Sequence, residues 1–361
     1  MSDLFDTVRF PRGPVMPNRF VLGPLTNNQS LEDGRLGEDE FRWLTRRAAG
    51  GFGLVMTCAA HVQAQGRGWP GQLGIFSDEH LEGLSRLAAG VTAHGSLAMV
   101  QLHHAGIRAQ ASVLGSAPVG PSDHAKTGAR ALGPDEVEQV AADFVAAARR
   151  AERAGYDGVE LHAAHGYLIC QFLSAELNRR TDGYGGPLEN RERLLFDIVA
   201  GIRAQCSPGF LLAVRLSPER FGMNPGEVRE VARRLLAEGA IDLLDMSLWD
   251  VHKEPELEEY RGRPLHAYFT DLERSGVLLA VGGKVMGGTA AARALATGAD
   301  LVVVGRAAIL HHDFPKRVAA DPGFEAVALP VSRDYLRGET VGETFLKYLE
   351  NWKGFLEPEP E

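Results

Sequence analysis

Cysteine is scarce in this chain: Cys58, Cys170 and Cys206 are the only three in 361 residues, too few and too scattered for a disulfide framework or a paired-cysteine metal site. They are expected to be reduced thiols. Positive charge is also short. Lys and Arg number 38 against 47 Asp and Glu, and the formal net charge of −9 offers no general basic field for nucleic acid or an anionic membrane. Any anion site has to be local. No apolar run approaches the length that spans a bilayer, and the N-terminus MSDLFDTVRFPRG lacks the apolar stretch of a secretory signal, so a cytoplasmic protein is expected. What is there is an ordinary globular composition, 45% hydrophobic and 24% charged. A single domain of this length is allowed, and so is a homo-oligomer.

Short apolar runs alternate with longer helical patterns, as in βα units whose strands are buried on both faces. There are eight: VLGPL (21–25), FGLVMTCAA (52–60), LAMVQLHHAG (97–106), DGVELHAAHG (157–166), FLLAVRLSP (210–218), IDLLDMSL (241–248), VLLAVGGKV (277–285) and DLVVVGRAAI (300–309). Between them lie helical stretches such as GPDEVEQVAADFVAAARRAERAG, with Pro134 near its start and Gly155 at its end, where helix caps favour them. Eight uninterrupted units point to one closed (β/α)8 TIM barrel, α/β in class, with an open doubly wound sheet as the alternative. The barrel is expected over about residues 8–320 of a single domain, 1–361, and the tail of about 321–361 has no place in the eightfold count. Non-periodic stretches near 107–133, 175–190 and 249–264 each follow a strand, so they fall at the C-terminal mouth where barrels keep their chemistry.

Polar residues in or just after buried strands are the informative ones. They are Thr26, Gln101, His103, His104, His162, His165, Tyr167, Arg215 and Arg306, all on course for one mouth. Singly, each has a plain structural explanation: a hydrogen-bonded His103 or His104, a polar barrel-layer Gln101, an Arg215 paired with a neighbouring carboxylate. Jointly, an inward amide and arginine suit a planar heterocycle that becomes negative, as an isoalloxazine does on reduction. GGK at 282–284 and GR at 305–306 offer backbone amides and two cations, the usual phosphate corner of a barrel. In HAAHGY, His162 and His165 could ligate zinc, with Glu160 as a nearby carboxylate. Their odd spacing sends them to opposite faces of an extended strand unless the backbone turns between them. If it turns, two imidazole N–H groups could instead meet a substrate carbonyl, with Tyr167 near as proton donor. Spacing alone leaves metal and carbonyl both open.

The run VELHAAHGYLICQFLSAELNRRTDGYGGPLENRERL, 159–194, closely resembles the fourth βα segment of the old yellow enzymes. The resemblance extends to NRFVLGPLT (18–26), GRGWPGQLGIFSDE (66–79), VQLHHAG (100–106), AVRLSPERF (213–221) and ADLVVVGRAAI (299–309), in family order. It implies FMN as cofactor, lined by Pro24, Leu25, Thr26 and Ala59, with Gln101 on the pyrimidine side, Arg215 facing N1 and O2, and Gly283, Gly305 and Arg306 at the phosphate. It also implies NADPH or NADH as hydride donor and an α,β-unsaturated carbonyl compound as the small-molecule substrate. Its carbonyl oxygen would be held by His162 and His165, hydride would reach its β-carbon from the flavin, and Tyr167 would protonate its α-carbon.

Some features depart from the best-known branches of that family. Thr26 stands where one bacterial branch has cysteine and Asn28 where it has tyrosine, both bearing on flavin potential and substrate preference. SLWDVHKEPELEEYRGRP (247–264) and WKGFL (352–356) are also atypical, and Trp249 joins Asn28 as a candidate wall of the substrate pocket. Larger relatives continue into iron–sulfur domains, for which three scattered cysteines make no provision. Two other functions compete with ene-reduction: a metal-dependent lyase or hydrolase using His103, His104, His162 and His165, and a flavin-binding redox sensor.

Overall fold

The eight apolar runs pair side by side and in parallel in the computed structural model, which describes residues 3–358. The ends of the expected 1–361 domain therefore lie outside the described residues. The strands are β1 (Phe20–Leu22), β2 (Leu54–His61), β3 (Leu97–His103), β4 (Gly158–Ala163), β5 (Leu211–Leu216), β6 (Leu243–Ser247), β7 (Leu278–Gly282) and β8 (Leu301–Val304). Their order in the sheet follows the chain, and Val302–Val304 of β8 pairs with Phe20–Leu22 of β1, so the sheet closes into the expected (β/α)8 barrel rather than an open doubly wound sheet. Every strand but β2 stops before its apolar run does, and β1 and β8 show why. Pro24, which has no N–H to give a ladder, follows closely on β1, and residues Arg306–Leu310 after β8 are helical.

Helices α1 (Glu38–Ala49), α2 (Leu81–Thr92), α3 (Pro134–Arg153), α4 (Arg193–Gln205) and α5 (Pro225–Glu238) cover the outside, each burying an apolar stripe. The boundaries of α5 follow from local chemistry: Asn224 Oδ1 accepts the N–H groups of Gly226 and Glu227, Pro225 takes the first helical position, and Gly239 ends the helix at φ +59°. Between β6 and β7 the connection is largely irregular from Leu248 onward, with a 3-10 turn at Glu258–Tyr260 and a single α-helical turn at Ala267–Thr270.

Inside the barrel, Val21, Leu54, Met56, Leu97, Met99, Leu211, Leu243 and Leu301 form an apolar lower layer. An N-terminal hairpin, Val8–Arg9 against Val15–Met16, stoppers the bottom with Val8, Phe10 and Met16, and Arg12 pins the hairpin to Asp242 at 3.1 Å. Two residues further up the same strand faces the side chains turn polar. Met99 is followed by Gln101, Ala213 by Arg215 and Leu243 by Asp245. The C-terminal tail packs over α1, where Trp43 meets Phe345 edge-on at 5.5 Å and buried Arg47 donates to the Glu339 carbonyl at 2.9 Å. Among the described residues no helix is long and apolar enough to cross a membrane.

Candidate active site

The strand ends and the loops after them enclose a cavity of about 530 Å³ at the C-terminal mouth. Gly23 to Thr26 form one wall and Gly282 to Met286 with Gly305 and Arg306 another; Arg108, Tyr167, Arg215, Trp249, Tyr348 and Trp352 complete it. A narrow recess of about 60 Å³ adjoins it, bounded by Pro24, Thr26, Ala59, Trp69, Gln101, His162, His165 and Tyr167.

The turn that odd histidine spacing demands is present. β4 ends at Ala163, His165 takes a left-handed φ of +58° and Gly166 one of +73°, and the His165 N–H is held by Ser217 Oγ at 3.0 Å. Both imidazoles consequently reach the recess. Ala164 N–H donates to His162 Nδ1 at 3.3 Å, which leaves the His162 proton on Nε2, 3.3 Å from His165 Nδ1; His165 Nε2 then donates to Ser247 Oγ at 2.7 Å. Burial, reinforced for His165 by Arg215 and Arg108, holds His162 well below the ordinary range and His165 down to about 3. The pair is neutral at physiological pH, donating without carrying charge.

Tyr167 sits 4.9 Å from the His162 ring and 4.3 Å from the His103 ring, and its hydroxyl makes no hydrogen bond to protein among the described residues. Burial raises its pKa, so it stays a phenol with a proton to give. Arg108 spans the pair: its guanidinium lies 5.1 Å from the Tyr167 ring centre and donates to the His165 carbonyl at 2.6 Å.

Lower down, Gln101 donates to Glu160 at 2.7 Å, and Arg215 Nε lies 3.1 Å from Asp245, as the plain reading of that arginine has it. The terminal nitrogens of Arg215 and the carbonyl oxygen of Gln101 bond to no protein group among the described residues and face the cavity. At the other end Arg306 is exposed and has no acidic partner among the described residues, while Lys284 pairs with Asp250 at 3.0 Å. A glycine-lined wall, inward donors at one end and an exposed cation at the other fit a flat heterocycle with an anionic tail.

Two expected residues lie apart from this group. His104 is satisfied by Gln63 Oε1 and the Gly106 N–H, both at 3.0 Å, and packs on Gly66; Asn28, at φ +56°, sits against Gly71 and is absent from the cavity walls. Conversely, Trp69, Arg108, Ser247, Tyr348 and Trp352 carry weight that the sequence reading did not give them. Trp69, Ser247 and Trp352 lay within motifs quoted above and Arg108 within the aperiodic stretch near 107–133, but no local pattern marks these positions among their neighbours. Among the described residues no three His, Cys, Asp or Glu side chains converge as metal ligands.

Fold and site together define a flavin-binding barrel oxidoreductase. The profile of the NADH:flavin oxidoreductase / NADH oxidase family matches residues 3–322, and the chain belongs to that family, the family of old yellow enzyme. It is 38% identical to a probable NADH-dependent flavin oxidoreductase, YqiG, of Bacillus subtilis over 262 residues, 70% of each chain. An old yellow enzyme homologue from Zymomonas mobilis superposes with a TM-score of 0.80 at 30% identity, covering 94% of this chain and 99% of that one. A 2-naphthoyl-CoA reductase in complex with 2-naphthoyl-CoA superposes with a TM-score of 0.79 at 28% identity over 88% of this chain, which spans only 52% of that enzyme. The protein is thus an NAD(P)H-dependent flavin oxidoreductase with FMN as its cofactor.

Proposed function

We propose that this enzyme is an ene-reductase acting on α,β-unsaturated carbonyl compounds, with Tyr167 as proton donor. The observation that carries this reading is the meeting, in one recess beside the large cavity, of a neutral histidine pair and an unengaged phenol. Bound FMN would supply the hydride chemistry that links NAD(P)H to the acceptor. Pro24, Leu25, Thr26 and Ala59 would line its ring, Gln101 and Arg215 would hold the pyrimidine edge, and Gly283, Gly305 and Arg306 would hold the phosphate.

His162 and His165 bind the carbonyl oxygen of the acceptor. Their mutual hydrogen bond opens to admit it, freeing the His162 Nε2–H, and this N–H and that of His165, released from its partner Ser247, then meet negative charge as it develops on that oxygen. A cationic pair would bind the ground state as well, so neutrality at this position favours the charge-developing step. Tyr167, with Arg108 over its ring to steady the phenolate it becomes, delivers the proton to the α-carbon.

Tyr167→Phe tests the assignment because it removes one hydroxyl and keeps the ring. Stopped-flow reduction of the bound flavin by NAD(P)H should proceed at nearly its original rate. Reoxidation by cyclohexenone should slow roughly 10²- to 10⁴-fold. A nitroalkene, whose carbanion can wait for solvent to protonate it, should be much less affected. Equal slowing with both acceptors, or slowing of flavin reduction alone, would remove Tyr167 from the proton-donor role.

A further inference from the structure

Two carboxyl groups sit directly beneath this site, and the chemistry above uses neither. Glu160 on β4 and Asp245 on β6 are fully buried and share the inward face of the barrel with Gln101 and Arg215. Below them the interior is apolar, filled by Met99, Leu243 and Ala280. Above, Gln101 donates to Glu160 Oε1 at 2.7 Å and Arg215 Nε approaches Asp245 Oδ2 at 3.1 Å. Among the described residues nothing hydrogen-bonds Glu160 Oε2, either oxygen of Asp245 or Arg215 Nε, whose approach to Asp245 is an ion pair without hydrogen-bond alignment. The two carboxyls lie within hydrogen-bonding reach of each other. Ionised carboxylates only accept, so a buried contact between them is favourable only with a proton in it.

The charges around the pair give the same count. From β3 come Gln101 and a neutral His103; from β4 and its following turn, neutral His162 and His165; from β5, Arg215; from β6, Ser247. β7 and β8 contribute Ala280 and Val303. One guanidinium therefore faces two carboxyl groups. If both were ionised, a net negative charge would be buried beside a ring that itself becomes negative on reduction.

We infer that Glu160 and Asp245 share one proton, carried by Glu160, and that the resulting neutral cluster of Glu160, Asp245 and Arg215 sets how strongly Arg215 favours the reduced flavin. The flavin half of this statement rests on the placement of Arg215 at the pyrimidine edge proposed above. Protonated Glu160 accepts from Gln101 with its carbonyl oxygen and donates its hydroxyl to Asp245, while Asp245 takes the guanidinium; the buried oxygens then have partners. Burial pushes both carboxyls upward, and the charge of Asp245 pushes Glu160 further. Both are positioning residues: Asp245 offsets part of the Arg215 charge, and Glu160 keeps the pair from carrying two charges.

Infrared spectra of the FMN-loaded enzyme at neutral pH, in H2O and D2O, read the proton. A carboxylic-acid carbonyl band that shifts in D2O is expected in the wild type and should be gone in Glu160→Gln. Redox titration reads the coupling. Glu160→Gln, the neutral isostere, should leave the midpoint unchanged. Asp245→Asn should raise it, increasing the reduced-to-oxidised ratio at fixed poise by roughly tenfold to a hundredfold, the effect of one charge several ångströms away at an effective dielectric near 20. Arg215→Ala should move it the opposite way. If Asp245→Asn alone fails to fold, the double variant Glu160→Gln/Asp245→Asn keeps a hydrogen-bonded neutral pair and should show the same rise. Absence of the acid band in the wild type, or its persistence in Glu160→Gln, overturns the shared proton. An unchanged or lowered midpoint in Asp245→Asn overturns the coupling. An unchanged midpoint in Arg215→Ala, with the band present, overturns the placement of Arg215 and the coupling built on it, and leaves the proton assignment standing.

Discussion

At its N-terminal end the barrel is stoppered by a hairpin that packs Phe10 and Met16 beneath Met99 and Leu211; at its C-terminal end the same strands present Gln101, His162, Arg215 and Asp245. The two ends are separated by two residues along a strand. Side chains on one face repeat every second residue, so a single step of that repeat carries the barrel from a dry, interlocked layer to one of buried polar groups. The lower end contributes packing free energy and no chemistry. The upper end spends stability on a buried acid pair, a left-handed His165 and five histidines that burial holds neutral, His61, His103, His104, His162 and His165. Substitutions at the two ends should therefore separate stability from function.

The largest effect is expected at the top. Replacing both His162 and His165 with Ala should slow enone-driven flavin reoxidation by about 10² to 10³ per donor lost, with little change in thermal midpoint. Phenols, which imitate an enolate, should lose their charge-transfer band with oxidised flavin in the same variant. A full band at the same phenol concentration would place the carbonyl site elsewhere. The wild-type rate should show no inflection near pH 6.5, since His165 stays neutral down to about 3. Stability behaves differently. A buried neutral histidine binds fewer protons folded than unfolded, so its contribution is whole above about pH 6.5 and declines as pH falls toward its folded value. Thermal midpoints measured from pH 7 to pH 4 should fall accordingly, and the double variant should lose part of that slope.

At the bottom, Phe10→Ala should cost about 3 to 5 kcal/mol, since its ring is buried and the plug cannot collapse into the space it leaves. Denaturant unfolding would measure it. FMN affinity and the rates of both half-reactions should remain as they were under conditions where the variant is folded. A change in either would mean that the lower layer is coupled to the mouth. Smaller again is Arg306→Ala, which removes the exposed cation proposed to meet the phosphate and should weaken FMN binding by about tenfold or more. Unchanged cofactor affinity would move the phosphate site away from β8.

The barrel itself was legible because closure buries both faces of every strand, which makes each strand an apolar run. Gln101 and Arg215 stood out as polar exceptions inside such runs. Asp245 sat in an equally apolar run, IDLLDMSL, yet one carboxylate among leucines carries no mark of the Glu160 that meets it from two strands away, 85 residues distant in sequence. His103 and His104 looked alike on paper. Alternation turns one toward Tyr167 and the other out onto Gly66, a difference that only the strand's register reveals. Arg108 reaches the site from an aperiodic loop, and Tyr348 and Trp352 reach it because the tail folds back over α1. No local pattern encodes that return.

The tail offers the smallest expected effect and the sharpest test of where the functional end stops. Tyr348 and Trp352 line the cavity together with Trp249, while Phe345 and Leu349 of the same segment are buried against the barrel's outer core. If the division between packing and function runs through the tail as it does through the strands, Trp352→Ala should leave the thermal midpoint close to wild type, because the ring is only partly buried and gives up no more than its edge contacts with Tyr348 and Phe355, while Phe345 keeps its packing on Trp43. Its loss should appear in binding. One aromatic contact contributes about 0.5 to 1.5 kcal/mol beyond its area, so KM for an aryl-substituted enone should rise by up to roughly tenfold. Cyclohexenone, too small to reach across the mouth, should show a smaller rise, and reduction of the flavin by NAD(P)H should set the baseline for both. A thermal midpoint lowered as far as in Phe10→Ala, with the two enones affected alike, would make the tail a scaffold element and confine the functional end to the barrel and its own loops.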